Sequence, residues 1–267
     1  MLDTTRLYFR LIGAQLRSRL QYKANLVIES FAQFLITFID FAGVAVLFHQ
    51  FPALQGWNLS EVAFLYGTSA VSFTLAQLVV RGFEQFDKYI QMGELDRVLV
   101  RPVSPFIQIL GVELSLNRLG RLAQGLLVLA IGLGGVTIHW DFAKVGLFVM
   151  MLVAGAIIFV AVFIIGAVTT IWTVSTVEFT NIFTNGGNYL TSFPMSIYQE
   201  WFRNFFIFIV PLGFINFLPT LLILDKSGQS SLPSWLGWLT LPAALIFFGV
   251  ALAIWNWGLR KYQSTGN

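Results

Sequence analysis

Residues 93–105 read Gly93-Glu94-Leu95-Asp96-Arg97-Val98-Leu99-Val100-Arg101-Pro102-Val103-Ser104-Pro105. Two carboxylates and two guanidiniums packed so closely suit polar recognition of another surface. Ahead of them, Phe83, Phe86 and Ile90 recur at i, i+3 and i+7, with Glu84, Asp87, Lys88 and Gln91 elsewhere around the circumference. That is the period of a short helix with one apolar face, lying flat beneath an apolar body. Gly93 should break this helix, and Leu95, Val98 and Leu99 resume its apolar face. Arg101-Pro102 and Ser104-Pro105 then punctuate the way into the next apolar run. Such a segment either transmits force from a soluble partner or only anchors topology, and periodicity does not separate the two.

Two further carboxylates, Glu29 and Asp40, lie inside an apolar run, eleven residues apart. At 3.6 residues per turn they share a helix face. Ionisable groups at membrane depth are costly and usually face a cavity or a partner. Asp40 is the deeper of the two, while Glu29 sits near the interface, where a nearby arginine can pair with it. Glu113, Asn117, Arg118 and Arg121 form a third polar group at i,i+4 spacing, an anchor with an internal ion pair. Catalytic and cofactor motifs are missing. There is no G-x-x-x-x-G-K-[ST] loop, no G-x-S-x-G and no H-E-x-x-H. The chain has no cysteine, and its two histidines, His49 and His139, have no neighbours at metal-ligand spacing. No metal, haem or nucleotide site is expected in this chain.

The elements that must position these groups are membrane helices. Only 11% of the residues are charged against 57% hydrophobic, and the mean hydropathy is +0.76. A soluble domain carries about 25% charged residues. A spanning helix needs about 20 apolar residues, and six stretches qualify: 26–48, 62–80, 119–138, 145–172, 205–224 and 239–257. Pro211 and Pro219 interrupt the fifth and free backbone carbonyls that neighbours or water must satisfy. The polar stretch 173–200 is expected to be a connecting segment. Fourteen of the 16 basic residues fall on one side of this arrangement, leaving Lys144 and Lys226 on the other. The positive-inside rule then places both termini in the cytoplasm. Residues 1–24 carry Leu7, Leu11 and Ile12 at helical spacing among arginines, the pattern of an interfacial helix on the inner leaflet. The expected fold is a single all-α integral membrane domain over 1–267, with six spans, this N-terminal helix and a cytoplasmic segment at 81–105.

The stretch Gly93–Pro105 resembles a signature of ABC-2-type transporter permeases, in a bacterial subgroup long described as of unknown function. Pro194-Met195-Ser196-Ile197-Tyr198 with Trp201 and Arg203, the run Pro211 to Pro219, and Gly258-Leu259-Arg260-Lys261-Tyr262 are similar to further motifs of that subgroup, in the same order. Leu218 stands where the subgroup has an aromatic residue. The resemblance implies a multi-pass protein of the bacterial cytoplasmic membrane and a pathway made by two permease chains, identical or homologous. It also implies a coupling helix at 81–105 that docks on a separate ABC ATPase, present in two copies. ATP and Mg²⁺ would then be held by that ATPase, and no nucleic acid is involved. Ile90, Glu94, Leu95, Asp96, Arg97, Leu99 and Arg101 are the candidate ATPase-coupling residues, with Ile90, Leu95 and Leu99 as the apolar anchor. Asp40, Glu29, Pro211 and Asn216 are the candidate pathway or subunit-interface residues. The substrate expected from the resemblance and the phenylalanine content is hydrophobic or amphipathic, a drug or a lipid, moved outward. The competing classes are a membrane scaffold that moves no solute and an intramembrane enzyme.

Overall fold

The computed structural model describes Gly13, Gln21 and residues 23–110, 115–173 and 177–263. The N-terminal helix expected over 1–24 falls almost wholly outside these residues, and so does Glu113. The described chain folds into α1 (Lys23–Gln50), α2 (Leu59–Val79), α3 (Arg81–Glu84), α4 (Phe86–Gln91), α5 (Glu94–Leu99), α6 (Pro105–Leu110), α7 (Leu119–Gly135), α8 (Phe142–Thr173), α9 (Val177–Phe183), α10 (Asn185–Thr191), α11 (Glu200–Phe208), α12 (Phe217–Ile223) and α13 (Thr240–Lys261). No strand occurs among the described residues.

Five helices are long and apolar enough to cross a membrane: α1, α2, the run Leu116–Gly135 around α7, α8, and the run Ser234–Lys261 around α13. They match five of the six expected spans. Helix α2 is the axis of the bundle, with 83% of its apolar window buried, whereas α1 lies outermost with 17%. Between apolar helices in lipid, close packing rather than the hydrophobic effect drives association. Glycines supply it here. A Cβ at Gly67 would lie 2.5 Å from the backbone nitrogen of Leu129, and one at Gly132 would lie 2.5 Å from that of Phe64. The backbones of α2 and α7 therefore touch along two levels.

The fifth passage differs from expectation. The apolar run 205–224 is not one span: α11 and the segment Leu212–Ile223 meet at 77°. Contacts fix the height of each part, measured between the end of the bundle that carries residues 81–118 (the loop end) and the far end. Thr180 donates to the Gly166 carbonyl near the loop end of α8. Ser69, halfway along α2, meets the side chains of Asn188 and Thr191. Ser196 accepts from the Trp57 indole, in the far-end loop between α1 and α2, at 3.1 Å. Residues 177–197 thus climb from the loop end to the far end and form the fifth crossing. The segment 200–223 then dips in from the far end and returns. Gly213 packs on Ile207 and Met195 at its turn, and Asp225 and Lys226 emerge beside Lys144 and Glu61. Pro211 marks the break. Pro219 sits in the first turn of α12, where a missing N–H costs little. Moving Arg203 to the far end changes the balance of basic residues from 14 against 2 to 13 against 3.

The exit of this hairpin is fastened at the far end. Lys226 Nζ donates to the Gly56 carbonyl at 2.6 Å and to Glu61 Oε2 at 2.7 Å, and it lies 5.0 Å from the Trp57 ring centre. Glu61 also closes a capping box with Asn58 at the start of α2. One lysine so ties the hairpin to the N-terminus of the central helix.

Candidate functional site

The segment 81–110 is a folded platform, not a free loop. Gly93 caps α5 with φ at +65°, a left-handed conformation that suits glycine and lets α4 end and α5 begin within two residues. Phe83, Phe86 and Phe106 surround Trp255 of α13, with ring centres 5.2, 5.2 and 6.2 Å away. Gln108 Nε2 bonds the Val98 and Val103 carbonyls at 3.0 and 2.8 Å, tying the 98–103 turn to α6. Glu84 accepts from Gln77 and pairs with both Arg81 and Arg118, joining the platform to α2 and to the entry of α7. Burial raises the pKa of the Tyr89 phenol, and Glu94 raises it further. Burial does the same for Tyr262, beside Asp96.

This platform revises the expected apolar anchor. Ile90 and Leu95 are 1% and 0% exposed, buried in the chain's own core and out of a partner's reach. Leu99 keeps the expected surface position and is joined there by Met92 and Val100, at 66% and 83% exposure. Glu94, Arg97 and Arg101 are exposed and Asp96 is half-buried. The accessible face therefore alternates three large apolar side chains with two cations and a carboxylate.

The second group lies on the flank of the bundle. Asp40 is exposed on α1, and its carboxylate accepts from the Tyr189 hydroxyl, 149 residues away, at 3.3 Å. Phe41 stacks edge-on against Tyr66, which places Asp40 about a third of the way in from the far end of α2. Arg121 lies further toward the loop end, 4.7 Å above the Phe73 ring and donating to Gln77. A carboxylate, two phenols and a guanidinium from four elements thus line one side of the molecule. Among its neighbours on α1, Ile36 and Ile39 are 57% and 67% exposed. Glu29 does not join this group. It accepts from Asn25, one turn back, at 2.7 Å.

Pro211 and Asn216 are buried, so neither lines an open surface. Asn216 is fully buried and works as a staple: its Nδ2 donates to the Leu65 carbonyl at 2.9 Å and to the Thr191 carbonyl at 2.7 Å. It binds the hairpin to α2 and to the fifth crossing at once. Asn216→Leu should cost about 1–3 kcal/mol through the two buried hydrogen bonds it removes, although the Leu65 carbonyl keeps the Thr68 hydroxyl as a donor, lowering Tm by roughly 5 °C. Asn216→Asp keeps the shape but loses the donor and should cost as much. A melting curve for Asn216→Asp that matches wild type would remove the staple role.

Asn117 and Arg118 occupy a 3-10 turn ahead of α7, so the continuous helical face expected there is broken. Tyr189 and Trp255 escaped sequence reasoning. Tyr189 sits in a stretch read as a connector, and nothing in an apolar run separates Trp255 from a lipid-facing tryptophan. The polar residues of α2 (Thr68, Ser69, Ser72, Thr74 and Gln77) were a usable signal, because so many hydroxyls in a span require protein neighbours.

A membrane bundle with a structured loop-end platform and a polar flank fits a transporter's membrane subunit. A family model described as ABC-2 family transporter protein matches residues 34–266, and the chain belongs to that family. No curated protein and no solved structure matches it. The family is one of membrane subunits that work with an ABC ATPase.

Proposed function

We propose that this chain is the permease of an ATP-driven exporter for hydrophobic or amphipathic substrates in the bacterial cytoplasmic membrane. Two permease chains enclose the pathway, and two separate ATPase subunits bind ATP and Mg²⁺. The loop end faces the cytoplasm, in keeping with the 13 basic residues on that side. The observation that carries the proposal is Asp40 with Tyr189 on an exposed flank. A carboxylate at this depth fits a water-lined path or a second chain and does not fit lipid. The platform at 81–110 is the coupling element. Glu94, Arg97, Leu99 and Arg101, with Met92 and Val100, meet the ATPase, while Ile90, Leu95 and Trp255 pass its movement to α13.

The test is co-purification with the ATPase, followed by ATP-driven transport in proteoliposomes. Reversing two exposed charges together, Glu94→Lys with Arg97→Glu, spares the buried face of the platform. Loss of a desolvated pair at an interface costs about 2–5 kcal/mol. The double variant should therefore insert normally, bind the ATPase at least about 30-fold more weakly and lose transport. Wild-type assembly and transport by this variant would take the coupling role away from these residues.

A further inference from the structure

Two cavities meet at Thr180. The first, of about 210 Å³, is polar and lies at the loop end, lined by Gln77, Glu84, Asp87, Arg118, Asn181 and Asn185 among others. The second, of about 350 Å³, is an apolar cleft, lined by Val162, Ile165, Phe205, Ile209, Val250 and Ile254 among others. Thr180 lines both, standing on Gly166 between them. We propose that one zwitterionic phospholipid straddles Thr180, its phosphoethanolamine head group in the polar cavity and an acyl chain in the apolar cleft.

Depth and charge both point to this occupant. The loop-end interface is marked by Trp172 and Trp257, whose ring centres lie 5.0 Å apart, as tryptophans mark head-group level in membrane proteins. The polar cavity lies between the arginines of that end. On α8 the two cavities overlap in height, with Phe163, Ala167 and Thr170 on the polar one and Val162, Ile165 and Thr169 on the other. The polar cavity alone reaches Arg81 and Arg118 at the loop end, and the cleft alone extends to 247–254 of α13 and to the hairpin, where the surroundings are hydrocarbon. Its walls reach the exterior, with Ile209 64% and Val250 46% exposed. A phospholipid has the same order of polarity along its length. Within the polar cavity Glu84 is already engaged by Gln77, Arg81 and Arg118. Two groups of opposite charge keep capacity: Arg118, whose side chain is 18% exposed and meets Glu84 only at 3.4 Å, and Asp87, which has no partner among the described residues. Arg118 suits a phosphate and Asp87 an ammonium. A water occupies about 30 Å³ of liquid, so the cavity has room for a head group of several heavy atoms. Phe205, Ile209 and Val210 belong to the hairpin. The chain in the cleft therefore supports the hairpin from its outer side.

The experiment uses the purified, delipidated permease, incubated with equal amounts of palmitoyl-oleoyl phosphatidylethanolamine and phosphatidylglycerol, then washed and weighed by native mass spectrometry. Wild type should retain one phosphatidylethanolamine per chain in preference to phosphatidylglycerol. Asp87→Asn should lower that preference about threefold to fivefold, the scale of one partly exposed ion pair. Val250→Trp fills the cleft and should abolish retention of both lipids. Ile165→Phe narrows the same cleft from α8 and replaces it if Val250→Trp elutes differently from wild type on size exclusion. Glycerophosphoethanolamine, which has the head group and no chains, should not be retained. Equal retention of the two lipids by wild type would overturn the proposal. So would an unchanged preference in Asp87→Asn, wild-type retention in the cleft-filled variant, or binding of the chainless head group.

Discussion

Trp255→Ala should uncouple the platform from the bundle while leaving the six-passage core in place. Trp255 is 1% exposed, and Phe83, Phe86 and Phe106 all pack against its ring. Truncating a buried tryptophan costs about 3–5 kcal/mol when the site cannot collapse, and the three rings would lose their shared partner on α13 and keep only their contacts with α8 and within the platform. Those helices, of four to six residues each, are too short to persist without tertiary support. The loss should therefore appear as local opening of residues 81–110. Backbone amide exchange in that segment should rise by about two orders of magnitude or more, and exchange in α2 and α7 should stay at wild-type rates. ATP hydrolysis by the assembled complex should continue without driving transport. Trp257→Ala is the control. It lies two residues on and packs against Trp172, but it is 53% exposed and its ring partner is Trp172 rather than the platform. It should change neither readout appreciably. Wild-type protection of 81–110 in Trp255→Ala would show that other contacts hold the platform.

What the sequence made legible follows the physics each pattern reports. Hydropathy found α1, α2, α7, α8 and α13, because lipid demands apolar side chains whatever the helix packs against. It missed the crossing at 177–197, whose Asn188, Thr191 and Ser192 are satisfied by Ser69 and by neighbouring carbonyls inside the bundle. A passage shielded by protein need not be apolar. The same blindness made 205–224 look like a span, since a hairpin that dips into the membrane is as apolar as one that crosses. Periodicity identified the buried face of the platform at Phe83, Phe86 and Ile90, but a period does not say who covers that face. Here the chain's own α8 and α13 do. The cost of an ionisable group in lipid singled out Asp40, while its partner Tyr189 lay 149 residues away in the stretch read as a connector.

Asp40→Leu decides what the flank faces, because its two consequences carry opposite signs. An aspartate near the centre of a lipid-facing helix costs about 2.5–3.5 kcal/mol on insertion scales, and leucine at the same place gains a few tenths. If α1 turned this face to lipid, the substitution would stabilise the protein by about 3 kcal/mol and leave transport alone. The flank carries too much polar structure for that. The Tyr189 hydroxyl donates to the carboxylate, Tyr66 lies behind it, and Arg121 projects from α7 toward the same side. Leucine would leave these groups without their anion and put an apolar side chain into a wet or protein-covered surface. The expected result is normal insertion, a Tm no higher than wild type, and transport reduced at least 10-fold, with Asp40→Asn intermediate because it can still accept from Tyr189. Tyr189→Phe removes the donor alone and should fall between Asp40→Asn and wild type. A stabilised, fully active Asp40→Leu would place this face in the bilayer and move the pathway to another side of the bundle.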